Sequence, residues 1–335
     1  MEEQRFDKKA TFKNFTKIVS FLLILVILLL VFSYALSPKD NTAKGGMMNP
    51  NARGFYSEKK NSIDVMILGN SDAYSGFSPM ELWNQYGITS YISAEGRSTV
   101  SDSLNLLKEA LTCQKPKLVI LETDELFFDQ NKVDEFSTNI AASLNRTFSV
   151  FRYHNRWKTT SFAELFKKPD YTAHCVSKGQ YLSNNVKGYT GKEYMKKTSK
   201  KNVMPLVTRS FTAKFLNFCK SRDIPVLLVQ VPSKTSWSYQ KHNTMKHFAE
   251  ENNVPFLDLD LKRQEYGFDW KTDTRDGGNH LNCRGAKKVT LTLGEYLINN
   301  YEFEDHRGQE AFQSWDEDYK EYYKTVYSSA LNDFK

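Results

Sequence analysis

The chain lacks the short motifs that would assign it to nucleotide, metal or nucleic-acid chemistry. It has no P-loop, no zinc-finger spacing, no CxxC pair and no basic stretch interleaved with aromatic residues. Its formal net charge of +7 is spread along the 335 residues rather than gathered into one stripe. The composition therefore gives nucleic acid no electrostatic footprint. We expect no metal, no organic cofactor and no nucleic-acid partner.

Cysteine is also scarce. Four cysteines lie far apart in the chain: Cys113, Cys175, Cys219 and Cys283. An exported domain would permit disulfides, but four cysteines allow three pairings and the sequence selects none of them.

Long hydrophobic runs are absent except near the N-terminus. Residues 18–36 form an uncharged apolar run of 19 residues, enough to span a bilayer and longer than the 7–15 residues typical of a secretory signal. Basic residues are denser before the run than after it, so the positive-inside rule places residues 1–17 in the cytoplasm and the rest of the chain outside the cell. We predict an uncleaved signal anchor; cleavage near Ala35-Leu36-Ser37 is the alternative.

The remainder of the chain predicts an α/β fold. Residues 37–56, rich in Asn, Gly, Pro and Met, indicate a linker. Apolar strand-like runs then alternate with helical patterns up to residue 305, which favours a central parallel sheet covered on both faces. The predicted strands are Ile63–Leu68, Ile88–Ser93, Leu118–Glu122, Val226–Val231 and Val254–Leu257, and the predicted helices are Ser101–Thr112, Leu206–Lys220, Tyr239–Asn252 and Arg284–Asn299.

Two segments depart from this alternation. Residues from about 129 to 202 are polar and aromatic, and so long an insertion is typical of a lid or recognition element, or of added surface structure. Residues 306–335 mix charges with Trp and Tyr, and predict an amphipathic helix that packs on the body or binds a partner.

A candidate nucleophile follows the first predicted strand. Gly69-Asn70-Ser71-Asp72 comes directly after Ile63–Leu68, and open α/β sheets bind ligands at the carboxyl ends of their strands. The same four residues also make a good tight turn. The Gly-x-Ser-x-Gly elbow of α/β-hydrolases is absent.

A candidate base lies near the other end of the chain. A serine hydroxyl needs a base, and the base needs a group that orients it. His280 stands in a glycine-rich loop before the last predicted helix, and Asp276 four residues upstream can fold back onto the imidazole. The turns at Gly96 and Asp124 follow the second and third strands, so both should share an edge of the sheet with Ser71. A glycine there lets a backbone N–H approach an oxyanion.

Taken together, these residues resemble the SGNH/GDSL hydrolase superfamily, and within it the membrane-anchored, DltD-like members associated with teichoic-acid D-alanylation and polysaccharide O-acylation. The resemblance covers roughly residues 53–300. The block around Ser71 matches the nucleophile, Gly96 the second-block glycine, and Asp276 with His280 the last block. Tyr153-His154-Asn155-Arg156-Trp157 resembles an insertion motif of Gram-positive members. The resemblance implies a flavodoxin-like three-layer α/β/α fold and acyl-ester chemistry by a Ser71–His280–Asp276 triad.

The sequence departs from the family pattern in three places. Asn70 stands where the first block usually has an aspartate, a change that many relatives tolerate. The third block of the superfamily supplies an asparagine that donates to the oxyanion, whereas this chain has Asp124, with Thr123 beside it; an ionised carboxylate cannot donate. Either the Ser71 and Gly96 amides serve alone, or another side chain substitutes, or the site is weak. The Asp276–His280 spacing is one residue longer than usual, which leaves Asp273 as an alternative acid.

Three functions fit these expectations. The first is an extracytoplasmic, membrane-anchored serine acyltransferase that acts on acetyl or D-alanyl esters of a cell-surface polysaccharide or teichoic-type polymer. For this function the resemblance implies a membrane-bound O-acyltransferase partner. The second is a glycan esterase with the same triad, and the third is a non-catalytic scaffold or glycan-binding protein. The expected substrate contacts are Asp72, Arg97, Asn279, Arg156 and Trp157.

Overall fold

A computed structural model of the chain describes residues 8–127, 137, 140, 141, 143–145 and 147–327, with side chains from residue 12 onward. Parts of the predicted insertion and the last eight residues of the predicted tail lie outside the described residues.

The centre of the structure is a five-stranded parallel sheet with the order β2-β1-β3-β4-β5. This is a doubly wound order, in which successive strands are added first on one side of β1 and then on the other. The strands are β1 (Val65–Gly69), β2 (Ser90–Ala94), β3 (Leu118–Glu122), β4 (Val226–Gln230) and β5 (Phe256–Asp258). The predicted α/β class is confirmed.

Eight α-helices of six residues or more lie among the described residues. They are α1 (Lys8–Leu36), α2 (Ser71–Gly76), α3 (Pro79–Tyr86), α4 (Val100–Ala110), α5 (Leu206–Lys220), α6 (Tyr239–Asn252), α7 (Cys283–Asn300) and α8 (Gln313–Tyr327). A 3-10 helix covers Pro50–Tyr56, and shorter helical turns include Val150–Tyr153, His154–Lys158 and Phe162–Leu165.

Alternate strand residues build two cores on opposite faces of the sheet. Met66 and Leu68 of β1 point to a core shared with α4, α5 and α6, while Val65 and Ile67 point to one shared with α2, α3 and α7. The period of two along an extended strand explains this division. Because both faces are covered, the strands are buried and mostly apolar. The carboxyl ends of all five parallel strands lie at one edge of the sheet.

The N-terminal helix α1 is largely exposed over its apolar length. Its segment Phe12–Leu36 is long and apolar enough to cross a membrane, although a signal sequence passes the same test. The segment that follows is packed on the domain: Phe55 is fully buried in the core, and Arg53 bonds to Glu109 at 2.9 Å and Glu95 at 2.5 Å. Residues 50–56, which the sequence predicts as linker, are therefore part of the packed domain.

The C-terminal helix α8 packs against α3. Trp315, Tyr322 and Val326 are buried with Trp83 in a third core. The Trp83 indole donates to Asp316 at 3.1 Å. This arrangement is the packed amphipathic helix that the tail composition predicts, over the part of the tail that the structure describes.

Candidate active site

Ser71 lies at the end of the central strand, held there by close packing. Gly69 ends β1 with φ of +147°, and a Cβ at this position would lie 2.8 Å from the Cβ of Glu122 and 2.9 Å from that of Ala73. Asn70 then caps α2, since its side-chain oxygen accepts from the Asp72 amide at 2.8 Å. Ser71 is the first residue of α2, so its own N–H has no acceptor within the helix.

His280 reaches Ser71 from the loop before α7. Its Nε2 lies 2.9 Å from Ser71 Oγ, and its Nδ1 lies 2.5 Å from Asp276 Oδ2. The other oxygen of Asp276 accepts from the amides of Asn279 and His280, at 3.2 and 2.8 Å. These two bonds fold the loop back on itself, and they explain how an Asp-x-x-x-His spacing still brings carboxylate and imidazole together.

The charge of Asp276 is stabilised by the same contacts. Partial burial acts to raise its pKa, but hydrogen bonds from the His280 amide and ring, with the positive Arg275 nearby, outweigh burial and hold the pKa below its ordinary value. Asp276 is therefore ionised wherever a neutral imidazole could act as a base.

Asp273, the alternative acid, is engaged elsewhere. It is fully buried and contacts Lys288 Nζ at 2.6 Å and Arg284 Nε at 3.3 Å, while accepting from the Asp269 amide at 2.8 Å. The structure therefore places Asp276 and not Asp273 against His280.

Gly96 stands at an exposed turn directly after β2. The turn is tied to the nucleophile loop because Ser98 Oγ donates to the Gly69 carbonyl at 2.7 Å. Arg97 adopts a left-handed φ of +59° and is exposed. The predicted glycine is thus brought to the edge of the sheet that holds Ser71, with Arg97 beside it on the solvent side.

Tyr74 joins this group, and the sequence analysis missed it. Its hydroxyl lies 3.4 Å from the position that a Cβ on Gly96 would occupy. Burial raises the pKa of Tyr74, while the charge of Arg275 and a hydrogen bond with Ser71 oppose the rise. Tyr74 is half-buried, and its hydroxyl lies close to both Ser71 and the Gly96 turn. A helix beginning at Ser71 puts residue 74 on the same face, so the spacing was the signal available in the sequence.

Asp124 does not serve as an oxyanion donor in this structure. Its Oδ2 accepts from Asn70 Nδ2 at 2.7 Å, and its amide donates to Glu122 Oε2 at 3.0 Å. The carboxylate therefore orients Asn70, which in turn caps α2. The position that the family fills with a donor is here part of the support for the nucleophile loop.

Asp72, predicted as a substrate contact, is buried beneath the site. It is 4% exposed and its Oδ2 accepts from Ser236 Oγ at 2.7 Å. Burial first, and the neighbouring Asp124 second, raise its pKa well above the ordinary value. Glu122 is fully buried beside it, and the same two causes, burial and nearby carboxylates, raise its pKa as well. Asp72 is a buried support of the site and not a surface that substrate would meet.

The remaining predicted contacts divide into two groups. Asn279 lies against the triad, with Nδ2 3.0 Å from His280 Nδ1 and its oxygen bonded to Thr235. Arg156 instead donates to the Gly45 carbonyl and to Thr160 Oγ1, and Trp157 is 66% exposed beside it. Gly45 lies in the segment after α1 and Thr160 lies in the insertion itself, so these contacts do not join Arg156 and Trp157 to Ser71, His280 or Asp276.

Arg275 is a second residue that sequence reasoning missed. Its guanidinium lies over the Tyr181 ring, 4.6 Å from the ring centre, and Nη1 donates to the Leu281 carbonyl at 3.0 Å. Tyr181 also packs against Tyr74, with ring centres 6.0 Å apart. Arg275 thus brings a positive charge to the triad loop, and only the folded loop shows that it faces the site.

The structure is that of a parallel α/β protein. At the carboxyl ends of its strands, a serine, a histidine and an aspartate lie in consecutive hydrogen-bonding contact. No protein-family model and no curated protein matches the chain.

Solved structures similar to the chain include a G-D-S-L family protein from Desulfitobacterium hafniense DCB-2, with 12% identity, 71% of this chain and 100% of that chain covered, and a TM-score of 0.39. A lipase/acylhydrolase from Enterococcus faecalis shows 11% identity, coverage of 72% and 98%, and a TM-score of 0.39. A GDSL-like lipase from Bacteroides thetaiotaomicron VPI-5482 shows 11% identity, coverage of 70% and 87%, and a TM-score of 0.34. Likeness at these scores is too low to assign an activity to this chain.

Proposed function

We propose that the protein is a membrane-anchored serine acyl-transfer enzyme that forms an acyl-enzyme on Ser71. The observation that supports this most directly is the continuous contact from Ser71 Oγ through His280 to Asp276, at 2.9 and 2.5 Å. The 2.9 Å contact between Ser71 Oγ and His280 Nε2 lies within the range over which a base can take a proton. Binding of a glycan or of a protein partner does not require a serine, a histidine and an aspartate in consecutive hydrogen-bonding contact.

The chemistry follows from the positions of the atoms. Ser71 Oγ attacks the carbonyl carbon of an ester while its proton passes to His280 Nε2. Asp276 stabilises the imidazolium through Nδ1 and holds the tautomer that leaves Nε2 free to accept. The imidazolium then gives its proton to the leaving alkoxide, and the acyl group remains on Ser71. Water or a sugar hydroxyl attacks the acyl-enzyme in a second step, with His280 again as base.

The developing oxyanion needs donors, and we assign three. The Ser71 amide begins a helix, the Gly96 amide lies on the adjoining turn, and the Tyr74 hydroxyl approaches both. Donors fixed in place before the reaction contribute most of the stabilisation of such an intermediate. Tyr74 thus replaces the side-chain donor that Asp124 cannot provide.

The substrate class is proposed from location together with the resemblance of the Ser71, Gly96 and His280 blocks to DltD-like proteins. With α1 in the membrane and the N-terminus in the cytoplasm, the site would face the cell surface, and the resemblance implies O-acetyl or D-alanyl esters of polysaccharide or teichoic-type polymers. We propose that the enzyme transfers acyl groups to such a polymer, and that a membrane-bound O-acyltransferase partner supplies those acyl groups. Hydrolysis of the same acyl-enzyme is the second candidate, since water and a sugar hydroxyl attack it alike.

The test of the enzyme proposal is labelling of the full chain, in detergent, by a serine-directed fluorophosphonate. Wild type should label, S71A should not, and H280A should label much more slowly. S221A, which removes an exposed hydroxyl at the end of α5, should label like wild type. A folded wild-type chain that takes up no label would overturn the proposal.

Transfer and hydrolysis are separated by the fate of the acyl group. An activated acetyl ester should give acetate in water alone, and an O-acetylated sugar when a glycan acceptor is added. Release of acetate that is unchanged by any acceptor would favour the esterase.

A further inference from the structure

The insertion packs against the end of the apolar helix α1. Ser149 Oγ lies 2.6 Å from Ser37 Oγ and donates to the Ser33 carbonyl at 3.1 Å, and the Val150 amide donates to Ser33 Oγ at 3.2 Å. Farther along, Tyr34 Oη donates to the Lys167 carbonyl at 3.4 Å. The short helices Val150–Tyr153, His154–Lys158 and Phe162–Leu165 all contact α1. The insertion is therefore fixed at one level along this helix.

The length of the apolar run shows where these contacts would lie relative to a bilayer. The uncharged run 18–36 has 19 residues, which at 1.5 Å per residue gives a length of about 29 Å, close to the roughly 30 Å of a hydrocarbon core. Ser33 and Tyr34 lie in the last turn of that run, at its outer end. A segment bonded to them lies where the hydrocarbon meets the headgroups.

The surface of the insertion has the composition of such an interface. Five aromatic side chains are at least two-fifths exposed, and we call them the juxtamembrane aromatic patch: Tyr34 49%, Phe151 44%, Trp157 66%, Phe162 79% and Phe166 61%. Lys158, Lys167 and Lys168 are exposed between them. Residues 152–170 contain five basic and two acidic residues. Aromatic rings and lysines together are typical of segments that lie in the headgroup region.

We propose that the juxtamembrane aromatic patch is a lipid-binding surface that seats the insertion in the outer headgroup layer beside α1. The patch is continuous with the helix that crosses the bilayer, and its lysines suit anionic lipid phosphates. An aqueous setting would leave Phe162 and Phe166 in water with only each other as ring partners, centres 5.5 Å apart. Both α1 and the juxtamembrane aromatic patch would then attach the protein to the membrane. Two attachments would hold the catalytic domain at a fixed distance from the bilayer and in a fixed orientation.

This proposal rests on the membrane placement of α1 and not on the acyl chemistry. The chain supplies its own probe, since Trp157 is the one strongly exposed tryptophan: Trp83, Trp237 and Trp315 are at most 3% exposed and Trp270 is of intermediate exposure. The full chain is reconstituted into vesicles of phosphatidylcholine and phosphatidylglycerol, with or without bromines at a shallow position of the acyl chains. Tryptophan emission is then compared between the two.

We expect brominated lipid to quench part of the emission, W157F to remove at least half of that quenching, and W270F to leave it unchanged. S71A should behave as wild type, which separates this result from the enzyme proposal. Replacing both phenylalanines, F162S with F166S, should lower the quenching of Trp157 without unfolding the domain, because both rings are exposed. Equal emission in the two lipids, quenching that persists in W157F, or a chain that does not enter the vesicles would overturn the proposal.

Discussion

His280 Nε2 lies 2.9 Å from Ser71 Oγ although the two residues are 209 positions apart in the chain. The contact exists because β1 ends, and the loop before α7 passes, at the same edge of the sheet. Each half is locally fixed: Asn70 caps the helix that Ser71 begins, and Asp276 accepts the two amides that close the histidine loop.

Asp276→Asn should lower kcat by about 10⁴-fold with little change in KM. The amide would present the wrong hydrogen-bonding group to Nδ1 and favour the wrong imidazole tautomer, as in other triads. The measurement is steady-state hydrolysis of an activated ester by the detergent-solubilised chain.

Asp273→Asn is the matched control for that experiment. This carboxylate is buried against Lys288 and Arg284, so its loss should cost about 3–5 kcal/mol of stability while the folded fraction keeps most of its kcat. If D273N lost kcat as severely as D276N while remaining as stable as wild type, the assignment of the acid would be reversed.

Tyr74→Phe should lower kcat by about 10²-fold and leave KM nearly unchanged, because the hydroxyl would act only on the oxyanion of the transition state. A phosphonate that mimics this state should bind correspondingly more weakly. Tyr181→Phe, on the ring that packs against Tyr74, should be close to wild type. Retention of full kcat by Y74F would show that the two amides suffice.

Much of the fold was predictable because its signals are local. The bounds of β3, α5 and α6 agree with the predicted ranges, since an apolar run between polar turns, or a long amphipathic period, specifies such elements on its own. The six-residue α2 and the eight-residue α3 were missed because helices so short show too few periods to be distinguished from turns. Missing α2 also hid Tyr74, whose relation to Ser71 exists only in a helix.

The site was predictable where a motif sets the geometry and not where packing sets it. Ser71, Asp276 and His280 occupy turns with their own sequence signals, and the structure brings them together. Arg156 and Trp157 look like a recognition motif, but their position depends on how the insertion meets α1. Asp72 is adjacent to the nucleophile in sequence, yet the helix that begins at Ser71 turns its side chain inward to Ser236.

Glu122→Gln should flatten the dependence of stability on pH above about pH 4.5. The folded-state pKa of Glu122 is raised well above its ordinary value of 4.5 by burial and by neighbouring Asp72 and Asp124, so the folded state binds more protons than the unfolded state. Stability therefore falls as pH rises from the ordinary pKa through the folded one. Glutamine carries no charge to be buried beside Asp72 and Asp124, so the variant should be more stable than wild type at pH 8.

The measurement for Glu122 is the urea midpoint of the detergent-solubilised chain from pH 5 to pH 8. Asp276 has a lowered pKa, so its contribution is lost only as pH falls below about 3.8, outside this range. Burial raises the pKa of Asp260 to about 7, so the stability of the Glu122→Gln variant should still fall somewhat as pH rises. Glu302→Gln, at an exposed position, should leave the profile unchanged. A wild-type midpoint that rises with pH would contradict the buried-carboxyl account.

Lys178→Met should destabilise the docking of α8 by about 3–5 kcal/mol. Lys178 is fully buried, with Nζ 2.7 Å from Glu58 Oε1, 2.6 Å from Asp318 Oδ2 and 4.5 Å from the centre of the Trp315 ring. Methionine fills similar space but removes the Lys178 charge from the buried carboxylates of Glu58 and Asp318, which His174 contacts at 3.8 and 2.5 Å. The measurement is the urea midpoint together with the rate of proteolysis within residues 313–327.

Lys320→Met, at an exposed position of the same helix, should change neither quantity. Adding Asp318→Asn to Lys178→Met should recover part of the loss, because it removes one of the two carboxylate charges that Lys178 balances. The double-mutant cycle measures the coupling. If K178M were as stable as wild type, the ion cluster would contribute nothing net. The attachment of α8 would then rest mainly on the buried apolar contacts of Trp315, Tyr322 and Val326, where the expected cost of Trp315→Ala is about 3–5 kcal/mol.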